Sequence, residues 1–163
     1  MTEVENCIPA LRRYAHALAY DSMEADELVQ DCLERALRKR FLWKPTSSVR
    51  AWLFTMLHNI NANKVRKVKR QPVVSSLEND IDKTLHPIDS DMGIRDIKTC
   101  LRQLPEQQQH ILLLVALEGM SYKEVGKILN IPVGTVMSRL SRAREALRTI
   151  MTAAQTPRLR RVK

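Results

Sequence analysis

Along most of this chain apolar side chains return every three or four residues, the spacing that lines one face of an α-helix. Ile8, Leu11, Ala15 and Leu18 mark a first helix. Asp21 followed by Glu24 supplies the cap of a second, whose apolar side is Leu28, Val29, Cys32, Leu33, Ala36 and Leu37. After a turn at Lys44-Pro45-Thr46-Ser47, the positions Val49, Trp52, Leu53, Met56, Leu57 and Ile60 predict a long third helix. It ends in the basic run Lys64, Arg66, Lys67, Lys69, Arg70. Residues 71–91 hold Pro72 and Pro87, several Ser and Asp, and no sustained period, so they read as a linker that is poorly ordered when free. Periodicity resumes with Ile94, Ile97 and Leu101. Pro105 is expected at the first position of the next helix, with Ile111, Leu112, Val115 and Ala116 on its apolar side and Gly119 at its end. Strand-like alternation is absent, so the pattern predicts an all-α protein: two small helical domains joined by a flexible linker.

The stretch from Met120 to Arg148 carries the strongest single signal. Ser121 and Glu124 have the spacing of a reciprocal capping box, and Val125, Ile128 and Leu129 share one side of the helix they open. Asn130-Ile131-Pro132 interrupts it, because proline lacks a donor and disfavours a helical residue before it. Val136, Leu140, Ala143, Leu147 and Ile150 then form the buried stripe of a second helix. Thr135, Ser138, Arg139, Arg142 and Arg144 remain off that stripe, hydroxyls and guanidiniums suited to base edges and phosphates. A lone basic helix is as well explained by a solvated face. Cap, proline break and following basic helix together describe a helix-turn-helix.

Charge sharpens this reading. The 163 residues carry a formal charge of +9, and its distribution is uneven. Residues 41–70 hold seven cations and no acid, and residues 120–163 hold ten cations and two acids. Between them, residues 71–119 hold eight acids and four cations. Basic patches that only maintain solubility would not cluster in this way, whereas a bipartite nucleic-acid binder would. Cys7, Cys32 and Cys100 are odd in number and widely spaced, which points to neither a disulfide framework nor a zinc site. Cys32, within an apolar row, reads as a small core residue. No apolar run approaches the length of a membrane span and the N-terminus lacks a signal pattern, so the expected location is the cytoplasm, without membrane insertion.

Two further features lie in the first domain. Asp26, Glu27, Gln30, Asp31 and Glu34 line one polar face of the second helix; taken alone, a solvated face explains them at least as well as a partner does. Phe41 and Trp43 precede the turn, Arg50 and Trp52 follow it, and a cationic helix end comes after. Aromatic surfaces beside cations are what capture of an unstacked base requires. Trp52 falls on the apolar stripe and is assigned to the core.

In order along the chain, Asp26-Glu27-Leu28-Val29-Gln30-Asp31, Arg50-Ala51-Trp52-Leu53-Phe54 with Asn59, Leu104-Pro105, Tyr122-Lys123-Glu124-Val125, Pro132-Val133-Gly134-Thr135-Val136 and Ser138-Arg139-Leu140-Ser141-Arg142-Ala143-Arg144 resemble the bacterial RNA polymerase sigma factors of the extracytoplasmic-function group. The resemblance spans about 150 residues and both domains. It implies that residues 1–70 bind the polymerase core and read and melt the minus-ten element, that 71–91 are the linker, that 92–155 read the minus-thirty-five element, and that 156–163 are a basic tail. It implies that Asp26, Glu27, Gln30, Asp31 and Glu34 dock on the β′ subunit of RNA polymerase. Lys44, Arg50, Asn59, Lys64, Arg66 and Lys67 would act at the minus-ten element, within a loop and helix that hold a flipped base. Thr135, Ser138, Arg139, Arg142 and Arg144 would enter the major groove of the minus-thirty-five element. The linker would run through the polymerase near its active-centre cleft and RNA exit path, the core partner comprising the β′ and β subunits. An anti-sigma factor is a further partner the family implies, and the free chain is expected to be a monomer. Met137 and Ser141 depart from side chains often found at their positions, which bears on the preferred upstream sequence, and Asn63 stands where the family often has Asp.

Alternatives come from other classes. A dimeric helix-turn-helix regulator would protect a palindromic operator without polymerase. A recombinase would need a nucleophilic Ser or Tyr among clustered partners, and Tyr14, Tyr20 and Tyr122 lack them; His16, His58, His86 and His110 show no metal-ligand spacing. A sigma-like decoy would have no use for an arginine-bearing recognition helix. The resemblance therefore predicts no enzyme, no cofactor and no metal.

Overall fold

The computed structural model describes residues 2–19, 21–44, 47–70 and 92–155; the predicted linker, the basic tail, Tyr20 and the Pro45-Thr46 pair lie outside the described residues. Within them are seven α-helices and no strand. Helices α1 (Thr2–Leu18), α2 (Ser22–Arg38) and α3 (Val49–Arg70) form the N-terminal domain, with a short 3₁₀ turn at Arg40–Leu42. Helices α4 (Met92–Arg102), α5 (Glu106–Leu112), α6 (Tyr122–Leu129) and α7 (Val133–Gln155) form the C-terminal one.

Local sequence explains several helix ends. The Asp21 carboxylate accepts the Glu24 N–H at 2.7 Å and starts α2. Ser121 and Glu124 complete the reciprocal box at α6, with the Glu124 carboxylate accepting the Ser121 N–H at 2.9 Å. Those bonds to the charged form hold the Glu124 carboxyl below its ordinary range. Asn130 ends α6 in the left-handed region, φ 53°, where a short polar side chain is tolerated. The chain then turns so closely that a Cβ on Gly126 would stand 2.9 Å from the Ile131 carbonyl oxygen. Only glycine admits that approach.

The N-terminal core is Leu11, Tyr14, Ala15, Leu28, Cys32, Leu53, Phe54 and Leu57 with their neighbours, packed where α1, α2 and α3 meet. Cys32 is a core residue as expected: its thiol donates to the Leu53 carbonyl at 3.4 Å, and burial pushes its pKa up to about 12, so it is inert at neutral pH. The C-terminal core joins Leu104, Ile111, Leu112, Leu114, Val125, Ile128, Val136, Leu140 and Ala143.

Several register expectations need correction. Helix α1 begins at Thr2, ahead of the first stripe residue, and runs through Pro9, whose missing N–H falls on an exposed side of the helix. Leu37 is exposed because α2 is ending and α3 no longer covers it, while Phe54, outside the predicted stripe, is fully buried. Ile97 is exposed, and α4 buries Cys100 instead. Pro105 is the N-cap of α5 rather than its first residue, with extended ψ of 141°. The largest departure follows α5. Leu113–Leu117 form a π-helical turn, in which Glu118 N–H reaches back to the Leu113 carbonyl at 3.1 Å. The wider turn shifts the register, so that Leu113 and Leu114 are buried, Ala116 is exposed, and Glu118 points inward. Gly119, φ +63°, closes the helix as predicted.

The two domains do not stand apart. Helix α3 packs along α6, and α1 meets the π turn, so the described residues form one packed unit.

Candidate nucleic-acid interface and partner-binding face

The acidic face of α2 is real as a surface. Asp26, Glu27, Gln30, Asp31 and Glu34 are all exposed and fall within one side of the helix, opposite Ala25, Leu28, Val29, Cys32 and Ala36. Cations of its own domain frame it. Arg12 of α1 bonds Asp26 at 3.0 Å, with His16 at 3.4 Å. Lys64 of α3 lies 3.4 Å from Glu24 and 3.9 Å from Glu27. Gln30 donates to Glu34 at 3.3 Å, and Arg38 sits 3.7 Å from the same carboxylate. Asp31 makes no ion pair among the described residues, leaving an uncompensated carboxylate at the centre of the face. These exposed pairs are each worth little in water, so a partner can exchange them readily.

The six residues expected at the minus-ten element are not on one surface. Asn59 and Arg66 share the outer side of α3, Lys67 is exposed nearby, and Lys44 is exposed after the 3₁₀ turn. Lys64 instead turns to α2. Arg50 is half-buried and faces the other domain: its guanidinium donates to the Glu118 main-chain carbonyl at 2.6 Å and to the Glu118 carboxylate at 3.0 Å, over the Phe54 ring at 5.6 Å. Beside the loop, Trp43 donates its indole N–H to the Ser47 carbonyl at 3.2 Å. Trp43 and Trp52 then wall a cavity of about 510 Å³ with Val4, Leu37, Arg40 and Val49. Trp52 is thus both a core neighbour and a pocket wall. Phe41, at 78% exposure, is the most exposed large apolar side chain described.

On α7 the expected readers divide. At about 100° per residue, Thr135, Ser138, Arg139 and Arg142 occupy one flank and the outer side of the buried stripe. Arg144 falls on the opposite flank, where it lines a separate cavity with Met137, Ser141 and Arg148. Ser138 and Arg142 are open to solvent. Thr135 is half-buried, and its carbonyl accepts the Ser138 hydroxyl at 3.2 Å. Arg139 is also half-buried, because it faces a cleft of about 390 Å³ between the domains, together with Arg66, Lys69, His58 and His110.

The residues that sequence reasoning missed are those joining the domains. Glu118, whose side chain has no solvent exposure, holds Arg13 of α1 at 3.2 Å as well as Arg50, both on the same carboxylate oxygen. Its other oxygen is buried without a hydrogen-bond partner. Next to this clamp, Nδ1 of His110 lies 3.0 Å from the Tyr14 hydroxyl and 2.9 Å from Nδ1 of His58. In a neutral His110 with its proton on Nε2, toward Glu106 at 3.7 Å, the single lone pair of Nδ1 faces both neighbours and accepts one bond at a time. Burial drives the His110 pKa down to about 3, helped by His58, and burial lowers His58 as well. The one available signal was a charged residue directly before the helix-ending Gly119, at the end of an otherwise apolar run. Among the described residues no group of His, Cys, Asp or Glu has the arrangement of a metal site, and no helix is long and apolar enough to cross a membrane.

A capped helix-turn-helix with exposed guanidiniums, coupled to a three-helix domain with a cationic helix end and an acidic face, defines a bipartite helical DNA-binding protein. Comparison with known proteins makes this specific. Residues 94–147 match the family "Sigma-70, region 4", and residues 4–58 match "Sigma2 domain of PhyR". The chain is 34% identical over 150 residues to the ECF RNA polymerase sigma factor EcfG of Rhodopseudomonas palustris (strain TIE-1), covering 88% of this chain and 80% of that protein. It is 32% identical over 133 residues to the ECF RNA polymerase sigma factor SigC of Mycobacterium tuberculosis (strain CDC 1551 / Oshkosh), covering 78% and 70%. Among solved structures, the sigma factor RpoE of Bartonella quintana, co-crystallised with the anti-sigma factor NepR, superposes with a TM-score of 0.78 at 30% identity over 93% of this chain and 95% of that one. The chain belongs to the extracytoplasmic-function RNA polymerase sigma factors.

Proposed function

We propose that this sigma factor works by a division of labour among three surfaces, directing the RNA polymerase core to promoters that carry its two recognition elements. The acidic face of α2 is the docking surface, with Asp31 at its centre. Asn59, Arg66, Lys67 and Lys44, with Arg50 and Lys64 once released from their present carboxylate partners, contact the minus-ten element. The pocket walled by Trp43 and Trp52 is the aromatic surface beside them. The outer side of α7, through Thr135, Ser138, Arg139 and Arg142, reads the minus-thirty-five element. Arg144, on the other flank, is better placed for the flanking backbone than for the same base edges.

The observation that carries this reading is the coexistence, on one small chain, of an exposed carboxylate face, centred on the unpaired Asp31, with two cationic surfaces. Each cationic surface alone binds duplex weakly and with steep salt dependence. Docking on polymerase presents both at a fixed spacing, so the second contact becomes intramolecular. Selectivity then comes from base contacts of about 1–3 kcal/mol each. The chain supplies no chemistry; synthesis belongs to the polymerase. An anti-sigma factor of the kind bound to the RpoE relative is a fitting regulator, because it would cover the same surfaces.

The test is transcription by purified core polymerase from a library of genomic promoters, with and without the chain. Arg142→Ala should lower initiation at cognate promoters about 5- to 100-fold while leaving core binding intact. Asp31→Ala should weaken core binding and leave promoter preference alone. Equal loss by Arg142→Ala in both assays, or full competition for core by Asp31→Ala, would contradict the assignment. A second reading, a sigma-like decoy, is favoured by the N-terminal match to the PhyR domain. It predicts no initiation at any promoter.

A further inference from the structure

The cleft beside α3, α5 and the helix-turn-helix gathers more positive charge than the fold neutralises. Arg66 and Lys69 line it from α3 and Arg139 from α7, and the one carboxylate on its wall belongs to Glu106. Glu106 is already engaged: one oxygen lies 4.0 Å from the Lys69 ammonium and the other 3.7 Å from Nε2 of His110. Neither Arg66 nor Arg139 makes an ion pair among the described residues. For Arg139 this matters more, because the residue is half-buried and a guanidinium drawn out of water ordinarily takes a counter-ion with it. His58 and His110 share the wall but add no charge at neutral pH, since burial lowers both. Three like charges that converge on one cleft repel one another, and an anion bound among them reverses that term.

The rest of the lining selects the kind of anion. Ala62 and Val65 of α3, Leu129 of α6 and Ile131 just after it are half-buried apolar side chains on the same cleft. A bare phosphate gains nothing from them, whereas a flat heterocycle does. The exposed Gln107 carries an amide donor and acceptor side by side, the pair that matches a base edge. At about 390 Å³ the cleft lies within the ~300–1,000 Å³ of small-molecule sites. A duplex, whose major groove alone is about 12 Å wide, does not enter it.

We infer that this cleft is a binding site for a free nucleoside polyphosphate, with the phosphates on Arg66, Lys69 and Arg139, the base against Val65, Leu129 and Ile131, and the base edge on Gln107. Each guanidinium fork takes two phosphate oxygens at once, and the Lys69 ammonium adds a point charge. Lys69 leaves Glu106 at little cost, because an exposed pair at that distance is worth little. Two of these cations are also proposed promoter contacts, but the site itself is a property of the free chain and needs neither polymerase nor promoter.

The experiment is isothermal titration calorimetry of the full-length chain at low salt with GTP, ATP, inorganic triphosphate and guanosine. Either nucleotide should saturate one site per chain, inorganic triphosphate should bind several-fold more weakly, and guanosine should give no heat. Lys69→Gln and Arg139→Gln should each weaken nucleotide binding about tenfold or more, the loss of one charge-assisted contact. Arg148→Gln, on α7 but outside the cleft, should leave it unchanged. Circular dichroism identifies a variant that has failed to fold, and the remaining one then decides. Absence of saturable binding by both nucleotides overturns the site. So does an equal loss in Arg148→Gln, which would mean attraction by net charge alone. Inorganic triphosphate binding as tightly as the nucleotides overturns the role of the apolar wall and with it the ligand class. If Lys69→Gln and Arg139→Gln impair binding of a promoter duplex while no nucleotide binds the parent, the cations serve DNA alone and the inference fails.

Discussion

The domain interiors are apolar, whereas the seam between the domains adds charged and imidazole contacts to the apolar cluster that runs through both. Inside, Leu53, Leu57 and Phe54 in one domain and Ile111, Leu114, Val125 and Val136 in the other meet as fully buried apolar side chains. At the seam, the prominent contacts are Glu118 with Arg13 and Arg50, the Tyr14–His110–His58 chain, Arg102 donating to the Ala19 carbonyl at 3.0 Å, and Lys69 at 4.0 Å from Glu106. Apolar burial is non-directional and survives changes of salt and pH; charged and imidazole contacts do not. The seam is therefore expected to respond to salt and pH more than the interiors do.

The difference can be broken at its strong side first. Leu57→Ala leaves a cavity in the N-terminal core and should cost about 2–5 kcal/mol in urea unfolding of that domain. A loss below about 1 kcal/mol would mean that the interior is as yielding as the seam.

Acid should act on the seam and spare the interiors. His110 is depressed to about 3, so in the closed form it stays neutral where the opened form would take up a proton, and burial lowers His58 in the same direction. A base with a depressed pKa stabilises closure fully above the open-state pKa, and that stabilisation is lost as pH falls below about 6.5. Tyr14 from α1, Glu106 from α5, and Arg66 and Lys69 from α3 surround these imidazoles with Arg139 of α7; Arg66 depresses His58 and Glu106 opposes it. For His110 alone, going from pH 7.5 to 5.5 should weaken closure by about 1 kcal/mol. Scattering should show expansion across that range, with far-ultraviolet circular dichroism unchanged. Tighter closure at low pH would reverse the assigned proton count.

The smallest effect sharpens the comparison within the C-terminal domain. Ser121→Ala removes the hydroxyl that accepts the Glu124 N–H at 3.3 Å and should cost about 1 kcal/mol. The loss should fall on the helix-turn-helix domain, leaving the N-terminal transition in place. Coupled loss in both would show that the seam transmits stability more strongly than its polar make-up implies.

Legibility followed sequence separation. The Asp21 cap, the Ser121–Glu124 capping box, the Gly119 stop, the α7 stripe and the acidic row of α2 are decided within a turn or two, by rules that act over three or four residues, and each is found as read. The site was legible by type but only partly by placement. Arg144 parted from Arg139 because a helix spreads five residues over more than a full turn, and Lys64 and Arg50 were drawn to carboxylates elsewhere in the fold. The π turn was hidden because its sequence, Leu113–Leu117, suits an α-helix equally well. The seam was hidden for a stronger reason: Tyr14 and His110 are 96 residues apart, Arg50 and Glu118 68, and Arg13 and Glu118 105.

By itself the sequence determined the seven helices, their two groupings and the sign of each surface, because backbone propensity, capping and amphipathic spacing are local quantities. Tertiary structure alone decided which cations remain available and which are spent on Glu118. It also decided which histidines are buried and how the domains close on each other. Those outcomes depend on desolvation and pairing between distant residues, and no local pattern records either.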